Sequence, residues 1–433
     1  MSGDAAMISV GYGAPAMLSR ARYHAVRQAT MALVAGLSAE DCALQSMPDA
    51  SPVKWHLAHT SWFFETFVLE KAVPAYQYFH PEYRVLFNSY YVGVGERHPR
   101  AERGLLSRPA LEDIVRYREF VDTHMDCLLD NLDCQPQDVR DLIELGLHHE
   151  QQHQELILTD LKHLLSRNPL RPAYQGAPIS CTRAAATRLQ WLPYAEGLRT
   201  VGHDGSGFAF DNESPRHRVF VESYALASRL VTNGEYRAFI DDAGYTRPEL
   251  WLSDGWVVVQ ANQWRAPMYW EWNNGDWRVF TLHGMQALDP LEPVCHVSYF
   301  EADAYARWAR ARLPFENEWE VAAAQTAIAG NFVEDGAMQP LPVPDVEASA
   351  PRQLYGDLWE WTHSAYAPYP GYRTAPGAVG EYNGKFMVNQ YVLRGGSFAT
   401  PRAHVRASYR NFFPAATRWQ FTGIRLARDS GPL

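Results

Sequence analysis

The chain has 433 residues, 47% hydrophobic and 20% charged; this is a globular composition, too long for one ordinary core, so two or three domains of roughly 100–200 residues are expected. Its 39 Lys and Arg against 49 Asp and Glu leave a net charge of −10, which argues against nucleic acid or an anionic membrane as the main partner. There is no run of about 20 uninterrupted apolar residues to span a membrane. The opening MSGDAAMISVGYGAPAML lacks the basic and apolar regions of a signal peptide.

Five scattered cysteines (Cys42, Cys127, Cys134, Cys181, Cys295) make neither a disulfide framework nor a CxxC metal site. They suit a reducing cytosol, and a cytoplasmic location is expected. Ten of the 16 His lie before residue 164, and 12 of the 14 Trp lie after residue 190. This division predicts a domain over 1–167, a Pro- and Arg-bearing linker over 168–194 and a second domain over 195–433.

In chain order, an Ala/Arg/Leu-rich helix is expected over 18–36, ending at Gly36. A second follows Ser51-Pro52, with Ser51 as N-cap, and runs through WHLAHTSWFFETFVLEKA. Pro109 opens a third helix towards Leu132, and a fourth spans about Gln137 to Leu165, with Leu142, Leu145, Leu156 and Leu164 as its apolar positions. Four long helices with a longer connection at 73–108 predict a four-helix bundle. The second half offers strand-like runs (HRVFVESYALA, PVCHVSYF, YVLRGGSF) and helices over Asn233–Ala243 and Glu301–Ala311, the latter after Ser298. This is the pattern of an irregular α+β domain with long, Trp-bearing loops.

The strongest local signal is HHEQQHQE at 148–155. His149 and His153 are four apart and share one helix face, one turn above the other, where they can bind one metal. An unpartnered buried imidazole pair would be costly, and a metal removes that cost. His56 and His59 in WHLAH offer a third ligand from a facing helix. HEQQH also matches the HExxH pattern of zinc proteases, with Glu150 as base, but Leu156 and Thr159 stand where an extended motif needs Gly and His, and no acidic residue lies between Leu161 and Ala195. Three neutral imidazoles suit zinc with a hydroxide or ferrous iron with open positions, and spacing alone does not choose between them.

The segments VTNGEYRAFIDDAGY, PVCHVSYFEADAYARWARARLPFENEWEVAA, YGDLWEWT, LRGGSF and GIRLARD resemble the sulfatase-modifying-factor (formylglycine-generating enzyme-like) domain, a relative of C-type lectins. The first half resembles the DinB-like bundle. Together with WHLAH and HEQQH, the chain resembles the ergothioneine-biosynthesis sulfoxide synthases, non-haem iron enzymes that join a cysteine thiol to C2 of hercynine with dioxygen. The resemblance implies Fe(II) held by His59, His149 and His153, with His56 outside the ligand set. It further implies Gln152 near the hercynine imidazole, Tyr90 and Tyr91 as proton donors near the iron, and Asn411 and Phe412 in the hercynine pocket. Phe413, Trp419 and Phe421 extend that aromatic set, which suits a quaternary ammonium bound by cation–π contact.

Departures from related families narrow the expectation. The stretch RASYRN has Ser408 where formylglycine-generating enzymes need a reactive cysteine, and no cysteine follows Cys295, so thiol-based oxidation of a sulfatase is not expected. Phe413 stands where some γ-glutamylcysteine-using synthases have an acidic residue; with the Tyr-Tyr loop, this leans towards free cysteine as the sulfur donor. The competing readings are an ovothiol-type synthase acting on histidine, a zinc-dependent thiol S-transferase of the DinB-like type, and a lectin-like binding module. Ovothiol-type synthases commonly carry an added methyltransferase domain, and with the sequence running to Leu433 that reading is the less expected one. The S-transferase leaves the second domain unexplained, and the binding module leaves the histidines unexplained.

Overall fold

A computed structural model describes residues 17–176, 188–343 and 349–429. The first half is the expected bundle. Helix α1 (Arg20–Val34) is capped by Ser19, whose hydroxyl accepts from Arg22 N at 3.2 Å. Helix α2 (Val53–Phe63) continues through a π-turn segment (Phe64–Leu69) to Ala72, and α3 (Leu111–Leu129) and α4 (Gln137–Arg167) complete it. Gly146 of α4 packs closely on the π-turn segment, since a Cβ there would meet the Phe64 ring at 2.5 Å. Ser51 does not cap α2, because Pro52 takes that position without a side-chain bond. Instead Ser51 N donates to Asp160 Oδ2 at 2.8 Å and Ser51 Oγ accepts from Arg103 at 2.8 Å, tying the helix start to α4 and to the connecting loop.

The second half contains four small sheets and four helices longer than one turn among the described residues. Strands β1 (Trp191–Tyr194), β4 (Tyr224–Ala227) and β12 (Ala427–Asp429) form one antiparallel sheet. β2 (Gly197–Val201) pairs with β3 (His217–Val221), and β5 (Trp270–Asn273), β6 (Asp276–Thr281) and β7 (Gly284–Ala287) form a meander. The fourth sheet runs β10 (Asn411–Pro414), β9 (Gln390–Arg394), β8 (Trp359–Ala365) and β11 (Thr422–Gly423). Two helices follow the expected positions: α5 (Asn233–Asp241) and α7 (Tyr299–Trp308), with capping boxes Thr232/Glu235 and Ser298/Glu301. Helices α6 (Ser253–Asn262) and α8 (Glu316–Ala323) were not expected.

Two expectations are corrected. PVCHVSYF is no strand: Pro293 makes a single bridge to Thr232, and the chain enters α7 at Tyr299. The linker ends before residue 194, because β1 is already paired with β4, Trp191 opposite Ala227. Within 168–176 the chain is strapped to both halves, as Tyr174 N donates to Leu282 O at 2.8 Å and its hydroxyl donates to Leu33 O at 2.7 Å. Cys181 lies outside the described residues.

Buried ion pairs hold the loop-rich domain. Arg425 and Glu360, both fully buried, meet at 2.7 Å, and Trp319 Nε1 donates to the same carboxylate at 2.8 Å. Arg394 and Arg410 share Glu316. Such charges are tolerated inside a protein when paired and fully hydrogen-bonded.

Candidate active site

The two halves meet along α4. Its bundle-facing residues include Val139, Ile143, Leu147 and Ile157, all buried, whereas Leu142, Leu145, Leu156 and Leu164 are half-buried, so the apolar stripe read from the sequence was rotated. Glu155 on the opposite face accepts from Trp359 Nε1 (2.8 Å), Ser397 Oγ (2.6 Å) and Thr400 Oγ1 (2.6 Å) of the second domain. Gly395 and Gly396, at φ +103° and +85°, make the turn that delivers Ser397 to that carboxylate.

His59, His149 and His153 converge, with one ring nitrogen from each lying within 4.8 Å of the others, and all three are buried. His59 lies between Trp55 (ring centroids 4.6 Å apart) and Trp62 (5.3 Å), both nearly parallel to it. Its Nδ1–H donates to Phe87 O at 2.6 Å, which leaves the Nε2 lone pair buried with no partner among the described residues. His149 packs on Phe63, and its Nδ1 is likewise buried without a partner. His56 does not join the three. Its Nε2 donates to Asp160 Oδ2 at 3.1 Å, so its Nδ1 accepts from His153 Nδ1–H at 2.8 Å. His153 thereby keeps Nε2 free, held in one tautomer by an Asp–His pair behind it.

Burial lowers the pKa of all three imidazoles, that of His149 to about 3 and those of His59 and His153 well below the usual range. Neutral imidazole is the form that binds metal. Neutral, convergent and partly unpartnered nitrogens fit a divalent cation, which would supply the missing partner. His56→Ala is expected to weaken metal affinity about 10–100-fold through loss of ligand orientation; chelator competition measures it, and an unchanged affinity would refute the role given to His56.

Glu150 faces away from this cluster. Its carboxylate accepts from Arg27 Nη1 (2.8 Å), Arg118 Nη2 (2.8 Å) and Thr30 Oγ1 (2.7 Å) inside the bundle. A carboxylate so occupied is no general base, which disposes of the protease reading.

An interdomain cavity of about 680 Å³ lies beside the histidines. Among the expected residues, Tyr90, Gln152, Asn411, Phe412 and Phe413 line it, as do His149 and His153. Tyr91 is fully buried behind Tyr90, ring centroids 4.6 Å apart. Two expected wall residues are not brought to it. Phe421 is core, packed on Phe398 and His296, and Trp419 turns its indole N–H to Asp160 at 3.3 Å. Both follow the strand that carries Phe412 and Phe413, and proximity in sequence overstated their reach.

Sequence reasoning missed Tyr382 and Tyr409, which bracket Gln152: Tyr382 Oη donates to Gln152 Oε1, and Gln152 Nε2 donates to Tyr409 Oη at 2.7 Å. It also missed Arg97, Arg100 and Arg103 on the cavity wall. The sequence signal for the arginines is the basic run RHPRAER in the connection at 73–108, which was read for Tyr90 and Tyr91 alone. Arg103 is buried over the Trp55 ring at 3.3 Å, and its Nε has no partner among the described residues.

Residues 22–157 match the DinB superfamily, and residues 193–430 match the sulfatase-modifying factor enzyme 1-like domain. The chain is 35% identical to the hercynine oxygenase of Mycolicibacterium thermoresistibile, over 88% of either chain. It is 35% identical to that of Mycobacterium tuberculosis, over 93% of this chain and 96% of the relative. A formylglycine-generating enzyme of Streptomyces coelicolor is 28% identical over 60% of this chain. Fold and relatives define a two-domain oxygenase, a helical bundle with a triple-histidine group under a sulfatase-modifying-factor-like cap. The chain belongs to the hercynine oxygenase family. No helix among the described residues is long and apolar enough to cross a membrane.

Proposed function

We propose that this chain is a non-haem Fe(II)-dependent sulfoxide synthase of ergothioneine biosynthesis. It joins the thiol of cysteine or γ-glutamylcysteine to C2 of hercynine with dioxygen. The observation that carries this reading is the convergence of His59, His149 and His153 beside an interdomain cavity in a chain with hercynine oxygenase relatives. Ferrous iron held by these imidazoles would supply the redox chemistry with dioxygen that zinc, which has no redox chemistry, cannot.

The remaining roles fall to the cavity walls. Phe412, stacked on Tyr366 at 4.1 Å and beside Phe386 at 5.9 Å, offers an aromatic face to the trimethylammonium of hercynine, each such contact contributing about 0.5–2 kcal/mol. Asn411 and Gln152 supply polar contacts to the same substrate. Arg97, Arg100 and Arg103 form no ion pair among the described residues, and they suit the carboxylates of the thiol donor. Burial raises the pKa of Tyr90, Tyr91 and Tyr382 well above the ordinary phenol range, so all three hold their protons at neutral pH. Tyr90, backed by Tyr91 and faced by Tyr382, can hand a proton to a reduced oxygen species in the cavity.

The test is anaerobic loading with Fe(II), then addition of air, hercynine and either thiol, with products read by mass spectrometry. An S-(hercyn-2-yl)cysteine sulfoxide-type product is expected, dependent on iron and not formed with zinc. Coupling to histidine but not hercynine would establish the ovothiol-type reading instead. No coupled product with either thiol would overturn the proposal.

A further inference from the structure

Two segments from different domains cross beside the cavity, residues 88–97 of the bundle and 378–386 of the cap. On the bundle side the turn is shaped by Asn88, which is fully buried. Its Oδ1 accepts from Tyr91 N at 3.1 Å and its Nδ2 donates to Tyr91 O at 3.0 Å. The next two amides are taken by one carboxylate of the cap. Val92 N donates to Glu381 Oε2 at 3.0 Å and Gly93 N to Glu381 Oε1 at 2.6 Å. Glycine permits this approach, since a Cβ at Gly93 would stand 2.9 Å from Glu381 Oε1. Lys385 adds to the clasp, donating from Nζ to Glu381 Oε2 at 2.8 Å and to Tyr90 O. The neighbouring Phe386 ring lies 5.0 Å from Tyr90, nearly perpendicular to it, and 5.9 Å from Phe412. Tyr90, Phe386 and Phe412 all line the cavity. The side chains of Glu381 and Lys385 are 23% and 33% exposed, so water competes for their bonds and the clasp can open.

We infer that Glu381 is a positioning residue that shuts the cavity over bound substrate: seated on the Val92 and Gly93 amides, it holds Tyr90 and Phe386 together as one wall. The inference rests on the proposed action on hercynine, because Phe386 flanks the Phe412 face assigned to the trimethylammonium. A clasp that closes over a ligand is tightened by that ligand to the same degree. Filling the cavity therefore protects the clasped amides from exchange, and loosening the clasp speeds the ligand's escape more than its entry.

The test uses the full chain loaded anaerobically with Fe(II), with hercynine binding followed by stopped flow and amide exchange by mass spectrometry. In the wild type, hercynine should slow exchange in peptides covering 88–97. Glu381→Ala should abolish that slowing and raise the hercynine dissociation rate about tenfold, the scale of one charge-assisted hydrogen bond, with iron content unchanged. Gly93→Ala, whose new Cβ displaces the carboxylate, should act in the same direction and add nothing to Glu381→Ala. Dissociation unmoved by Glu381→Ala, exchange at 88–97 unmoved by hercynine, or fully additive effects of the two substitutions would each overturn this assignment alone. Wild-type enzyme that fails to bind hercynine would overturn the proposed function and this assignment with it.

Discussion

His149→Ala is expected to leave a folded protein that takes up substoichiometric metal and turns over at about a thousandth of the wild-type rate or less. Metal stabilisation of a transition state is worth several kcal/mol, and each 1.36 kcal/mol is a decade in rate. The loss follows from geometry: His149 contributes one of three convergent nitrogens among the described residues, and His56, the nearby imidazole, has both nitrogens committed to His153 and Asp160. Metal analysis by mass spectrometry and oxygen consumption measure the effect. Full iron stoichiometry with wild-type turnover would sink the assignment of the centre.

Glu150→Gln is expected to have the largest effect on stability, about 3–5 kcal/mol of destabilisation, the cost of removing one partner from a buried ion cluster. Arg27 and Arg118 have side chains only 3% exposed and would remain charged without their common anion. Burial alone would raise the Glu150 pKa, but the two guanidiniums outweigh it and hold it at about 2. A carboxylate depressed in the folded state contributes its full stability above its unfolded pKa, near 4.5, and loses it as pH falls towards 2. Denaturant unfolding of both proteins between pH 7 and pH 3 should therefore show a gap that is constant down to about pH 5 and narrows below it. A gap that widens in acid, or is under about 1 kcal/mol at neutral pH, would contradict the buried pairing.

The two glutamates of HHEQQHQE show where sequence reading reached its limit. Periodicity correctly put His149 and His153 on one face, because a ligand pair four apart needs only helical geometry. The same periodicity could not reveal that α4 is covered on its other side by the second domain, so that Glu155 docks the cap while Glu150 lies inside the bundle. The four bundle helices were legible because their lengths and apolar spacing are local properties. Helices α6 and α8 were not, since Ser253–Asn262 carries Trp and a Val-Val-Val run, and Glu316–Ala323 is stabilised by contacts far away in sequence. Tyr382 and Tyr409 come from loop and turn backbone held by Arg394, Arg410 and their glutamates. No period marks such residues, and only the folded chain brings them to Gln152.

The three hydrogen bonds received by Glu155 give the site two separately adjustable parts. The imidazoles are fixed by bundle packing, whereas the breadth of the cleft depends on how firmly the cap is latched to that one carboxylate. Substitutions at the latch would let the walls drift apart while the three imidazoles stayed in place, so the size of molecule the cleft admits and the spacing of the ring nitrogens can vary independently on the same scaffold.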